Sequence, residues 1–147
     1  MTPVVVDASV AVKWFVPEIH AERAAGLLDG RYELLAPDLI LPESTNAILK
    51  KVGRGELTAD EGRQIIAALR DAPVETTPTA ALMAPAYEIA GRTGRTVYDA
   101  LYVALAVARE CVFVTADARL AASLAGGPLG SHVRTIDTWD APPAQST

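Results

Sequence analysis

Asp7 in VVVDAS, Glu43 in LPESTN, Asp99 in TVYDAL and Asp117 in VTADAR are four carboxylates spread along the whole chain. Asp7 and Asp117 follow short apolar runs that read as buried strands. Glu43 and Asp99 lie near the starts of strongly apolar helices. In an α/β sheet, the carboxyl ends of the strands and the following helix starts share one edge, where sites are built. Four carboxylates gathered there would repel one another unless a hard divalent cation stood between them. Carboxylate oxygens suit Mg²⁺ or Mn²⁺, which keep bound waters and bind substrate phosphate. Such an ion lowers the pKa of a bound water, polarises a phosphoryl oxygen and offsets charge on a leaving oxygen. That chemistry needs no histidine, and neither His20 nor His132 lies in one of the four motifs.

The elements that must position these acids alternate along the chain. Strands are expected over 3–6, 32–36, 74–76, 112–114 and 133–136. Helices are expected over 8–15, 18–28, 37–52, 58–69, 80–90, 97–109 and 118–124. Gly53 and Gly55 stop the third helix. Thr58 and Glu61 have the capping-box spacing that opens the fourth. Gly91 and Gly94 separate the fifth from the sixth. Strands separated by helices imply a central parallel sheet of about five strands covered on both faces. The expected organisation is one α/β domain over 1–140 and a Pro-rich, frayed tail over 141–147.

Each acid also has a purely structural explanation. Asp7 and Asp117 can cap the helices that begin after them. Thr96 and Asp99 have capping-box spacing, so Asp99 can bond back to its own helix start. Against that, Asp99 is the only charge in the run 97–108, and a helix so apolar is expected to be buried nearly all round. Glu43 resists the capping explanation. It lies inside a helix beside Ile40, Leu39 and Ala47, where a lone carboxylate would be costly.

At 147 residues and half apolar, the chain can bury the core of one domain. Its longest apolar stretch, 101–108, is far short of a bilayer span. The start has no basic lead or cleavage-site pattern, so no signal peptide is expected. Cys111 is the only cysteine, which excludes an internal disulfide and a cysteine zinc site. A cytoplasmic protein fits these features. The net charge of −5 argues against a nucleic-acid partner only until its distribution is considered. Four of the negative charges are the acids above. Lys50, Lys51 and Arg54 cluster at a helix end, and Arg92 and Arg95 precede the Asp99 helix. These can steer phosphates, or the first group can simply complement a helix C-terminus.

The order VVVDAS, E-S-T-N in a helix, Y-D-A at a helix start and T-A-D after a strand resembles the PIN-domain ribonucleases. It is particularly similar to the VapC-type toxins of toxin–antitoxin pairs. The likeness runs from Val4 to about Ile136. It implies a divalent-metal-dependent endoribonuclease with Asp7, Glu43, Asp99 and Asp117 as its acidic metal site. It also makes Thr115 the neighbouring hydroxyl, Ser9 the D-x-S residue and Asn46 the polar residue one turn after Glu43. Asp7 and Asp99 are the first choices for direct ligands. Glu43 ligates or orients the attacking water, and Asp117 acts through water. A metal-activated water leaves a 5′-phosphate product. The resemblance further implies an RNA substrate, a homodimer and a cognate antitoxin, a segment of which lies across the cleft and pairs an Arg with the carboxylates. Trp14, Phe15 and Val16, or the helix over 58–69, would give that partner apolar contact, unless Trp14 belongs to the core.

Other functions fit less well. An aspartyl phosphatase needs a second Asp at position 9, which is Ser. A phospho-acceptor domain pairs two adjacent acids early in the chain and adds a late Lys, and this chain has neither. The alternatives are a housekeeping or DNA-directed PIN-type nuclease and a non-catalytic PIN-like interaction module.

Overall fold

The computed structural model describes residues 1–139. Two of its strands are built from valine-rich runs buried on both faces. β1 (Thr2–Val6) places Val4, Val5 and Val6 in the core, and β4 (Val112–Thr115) places Phe113, Val114 and Thr115 there. With β2 (Tyr32–Pro37), β3 (Val74–Thr77) and β5 (Val133–Thr135) they form one sheet ordered β3-β2-β1-β4-β5. Every pairing is parallel, as expected where helices cover both faces.

That order decides where a site belongs. From β1 the chain steps outward to β2 and β3, then returns and continues on the opposite side with β4 and β5. The carboxyl ends of β1 and β4 therefore flank the topological switch point, the crevice that open α/β sheets use for ligands. The register pairs Val6 with Val114, so Asp7, just past the end of β1, and Thr115, the last residue of β4, stand side by side.

The helices are α1 (Ala8–Ala11), α2 (Ala21–Gly26), α3 (Ile40–Gly53), α4 (Ala59–Arg70), α5 (Thr79–Thr93), α6 (Val97–Ala108) and α7 (Ala118–Leu124). α6 is the buried helix its composition demands: residues Ala100 through Ala106 are all in the core. The box at Thr58 and Glu61 forms reciprocally and opens α4. α5 and α6 meet at Gly94, whose φ of 72° is the left-handed conformation that ends helices cheaply on glycine.

Several boundaries differ from the expectations, each for a local reason. The helix expected over 8–15 is the short α1 followed by a 3-10 turn over Val12–Trp14, and Pro17 bars its extension. The helix expected over 18–28 starts only at Ala21. Glu18 is held outside it, accepting from Lys51 at 2.7 Å and Lys13 at 3.3 Å. Pro37 ends β2 opposite Thr77 rather than opening α3. Asp38 instead accepts the Thr79 amide at 3.0 Å, at the first residue of α5. α5 continues through Gly91, and Gly94 alone makes the break. The segment 141–147 lies outside the described residues. Among those described, no helix is long and apolar enough to cross a membrane.

Candidate active site

Asp7 is fixed from three sides. Its Oδ1 accepts from Ser9 Oγ at 2.5 Å and from the Val10 amide at 3.2 Å, which caps α1. Its Oδ2 accepts from Thr115 Oγ at 2.6 Å, across the β1–β4 seam. Thr115 is fully buried and accepts in turn from the Asp117 amide at 3.1 Å, while Ser9 Oγ accepts from the Ala116 amide at 3.0 Å. Capping and site geometry are thus one network. Burial pushes the Asp7 carboxyl above its usual range, the Ser9, Thr115 and Val10 bonds oppose that shift, and the Asp117 charge adds to it.

Asp117 caps α7 as expected, with Oδ1 accepting from the Arg119 and Leu120 amides, both at 3.1 Å. Its Oδ2 lies 3.9 Å from the Arg95 guanidinium. At Asp99 only half of the expected capping box forms. The Asp99 amide donates to Thr96 Oγ at 3.1 Å, but the carboxylate accepts from Arg95 at 2.9 Å. Asp99 is therefore part-exposed at the mouth of the site rather than buried as its helix composition suggested. The reason is its place in the first turn of α6, ahead of the buried stretch.

Glu43 sits in the first turn of α3, half-buried beside core residues Ile40 and Ser44. It accepts from Tyr102 Oη at 2.5 Å. Desolvation raises its pKa, the Tyr102 bond opposes that, and the nearby charges of Asp7 and Asp99 raise it further. Asp7, just after β1, and Asp99, on α6, are thus near enough to Glu43 on α3 for their charges to disfavour its ionised form.

The structure thus brings Asp7, Thr115 and Asp117 into one hydrogen-bond network, and couples Glu43 and Asp99 to it through charge. Asn46 is exposed one turn beyond Glu43. His20 and His132 lie elsewhere; His132 Nδ1 contacts the Cys111 carbonyl at 2.9 Å. Two residues were missed as members of the site. Tyr102 follows Asp99 by three positions and so shares its helix face, which was the available signal. Arg95 reads in the sequence only as one of a basic cluster with Arg92.

The donor set fits a hard divalent cation: carboxylate oxygens, with a guanidinium already drawn between Asp99 and Asp117 as a stand-in charge. In their present rotamers, however, no three acidic side chains among the described residues close into a metal-holding group. Asp7 is committed to Ser9 and Thr115, Glu43 to Tyr102, and Asp99 to Arg95.

Trp14, Phe15 and Val16 do not form an open apolar patch. Trp14 is part-buried, with Nε1 donating to the Ala24 carbonyl at 2.8 Å, and Val16 belongs to the core. Lys51 is committed to Glu18 rather than free to steer a phosphate.

Comparison with known proteins agrees with this architecture. The model of the PIN domain family matches residues 4–123. Ribonuclease VapC3 of Pyrobaculum aerophilum is 34% identical over 119 residues, covering 80% of this chain and 91% of that protein. Among solved structures, the Mycobacterium tuberculosis Sarcin-Ricin loop cleaving toxin VapC20 superposes with a TM-score of 0.63 at 16% identity, over 82% of this chain and 95% of that one. VapBC2 of Rickettsia felis, bound to a DNA fragment from their promoter, gives 0.60 at 13% identity, over 91% and 98%. These two likenesses bear on the fold alone. With the family model matching most of its length and a relative above 30% identity over nearly all of that relative, the chain belongs to the PIN-domain family, among the VapC-type ribonucleases.

Proposed function

We propose that this chain is a divalent-metal-dependent endoribonuclease, the toxin of a toxin–antitoxin pair. The observation that supports the reading is the charge coupling of Asp7, after β1, to Asp117 in the β4–α7 turn and of Glu43 to Asp7 and Asp99, beside the switch point of the sheet in a VapC-type chain. Asp7, Asp99, Glu43 and Asp117 would hold Mg²⁺ or Mn²⁺. When bound, such an ion supplies an activated water and offsets charge on the phosphoryl oxygens.

The protein's own residues prepare that chemistry. Thr115 and Ser9 hold both Asp7 oxygens, so its position is set before any ligand arrives. Burial and repulsion raise the Glu43 pKa above its ordinary range, and the Tyr102 bond offsets part of this by stabilising the carboxylate. Glu43 is thereby suited to take a proton from an attacking water.

An antitoxin with a cationic side chain would find the same carboxylates, which suits a partner laid across the cleft. Met83 and Tyr87, four residues apart on α5, are exposed apolar side chains that support a homodimer surface. An enzyme of this kind works where cellular RNA is, in the cytoplasm.

Purified protein should cleave structured RNA only with Mg²⁺ or Mn²⁺ present, and its melting temperature should rise with metal concentration. Metal-independent cleavage, or cleavage of DNA in preference to RNA, would overturn the reading.

Tyr102→Phe tests the positioning of Glu43. Loss of one hydroxyl should cost about 1 kcal/mol of stability. The removed bond is one that lowers the Glu43 pKa, so Glu43 should titrate higher and the acidic limb of the pH–rate profile should move to higher pH. An unmoved acidic limb would show that Tyr102 does not act through Glu43.

A further inference from the structure

Arg95 occupies a place that helix electrostatics disfavours. It immediately precedes Thr96, the N-cap of α6, where the helix dipole repels cations. The helix therefore does not account for its pose. What holds it is charge: its guanidinium donates to Asp99 Oδ2 at 2.9 Å and lies 3.9 Å from Asp117 Oδ2. Those two acids come from different elements and share no other cation among the described salt bridges. The Arg95 Nε is buried without a hydrogen-bond partner among the described residues, so the pose is incompletely satisfied. Gly94, in the left-handed conformation, supplies the backbone turn from which the side chain enters.

We infer that Arg95 is a built-in counter-cation that competes with the divalent ion for Asp99 and Asp117. In the metal-free protein it balances their charge and keeps them from closing on Asp7 and Glu43. Metal loading must displace it, so it weakens metal affinity while stabilising the metal-free state. This rests on the proposed metal site, and the experiment separates the two.

The measurement is Mn²⁺ binding by calorimetry, without RNA, on the full chain stripped of metal. Arg95→Gln keeps hydrogen-bonding capacity and loses the charge, so it should bind Mn²⁺ about tenfold or more tightly than the parent. Arg95→Lys, which keeps the charge, should stay near the parent. The metal-free Arg95→Gln protein should melt below the parent, and the gap should narrow at saturating Mn²⁺. Equal or weaker Mn²⁺ binding by a folded Arg95→Gln protein would overturn the inference and leave the metal site standing. If that variant instead lost RNA affinity with Mn²⁺ binding unchanged, Arg95 would be a phosphate contact, and the inference would again fail. If neither protein binds Mn²⁺, the metal site itself is misplaced and the inference falls with it.

Discussion

Asp7→Asn should leave the fold intact and reduce RNA cleavage by at least about 10²–10³-fold. Asn Oδ1 can still accept from Ser9 and from the Val10 amide, and Asn is about as good an N-cap as Asp, so α1 keeps its start. What disappears is the negative charge at the centre of the acid cluster, without which a divalent cation is poorly held. If capping were the whole role of Asp7, the variant would cleave like the parent.

The pH dependence of stability provides a second readout. Burial raises the folded-state pKa of Asp7 above its ordinary 3.8, so the native state disfavours the charged form. That contribution to stability is fully present below the unfolded-state value and is lost as pH rises through the folded-state value. The metal-free parent therefore carries the cost at neutral pH, and the Asn variant does not. The metal-free variant should melt at least as high as the parent near neutral pH, with the advantage vanishing below about pH 4. Calorimetric scans across that range, paired with the cleavage assay, check both statements. Asp99→Asn and Glu43→Gln should lose activity in the same way. Wild-type cleavage by folded Asp7→Asn and Asp99→Asn would refute the nuclease mechanism.

Phe113→Ala should cost about 3–5 kcal/mol, a large share of the ~5–15 kcal/mol that holds a domain of this kind together. Phe113 is wholly buried in β4, facing Val5 on one side and Val133 on the other. Removing its ring leaves a cavity that a sheet flanked by strands on both sides cannot close. The ring also stacks on Tyr102, with centroids 5.4 Å apart and planes 16° apart. Tyr102 in turn holds Glu43, so the cavity reaches the site through one side chain. Urea unfolding should show the loss. Surviving folded protein should share the pH–rate shift expected for Tyr102→Phe. Phe113→Leu, which refills most of the volume, should cost far less. A cost below about 1 kcal/mol for the Ala variant would mean the ring does not pack as described.

The local signals in the chain are chemical and short-range, and these were legible. Valine-rich runs ending in Asp7 and Thr115 marked buried parallel strands. The Thr58–Glu61 pair marked a helix start, and Glu43 stood out because an acid beside apolar helix neighbours needs a partner. The family resemblance rested on these same acids in order, and the relatives agree with it. Boundaries were less legible where a distant partner decided them. Glu18 leaves its helix because Lys51, 33 positions away, holds it. Pro37 stays in a strand because Thr77 pairs with it.

The arrangement of the site depended on tertiary structure in the same way. Asp7 and Thr115 meet across 108 positions only because β1 and β4 are neighbours in one register. Tyr102 reaches Glu43 across 59 positions because α6 is buried against the sheet with that face toward α3. Arg95 reads in the sequence as one of a basic pair with Arg92, and its proposed role depends on Asp117, 22 positions on, which the β4–α7 turn brings to 3.9 Å. Residue type specifies what a side chain can bond. Which of the possible partners it meets is settled by strand order and helix packing, the free-energy balance of the whole core rather than of any segment.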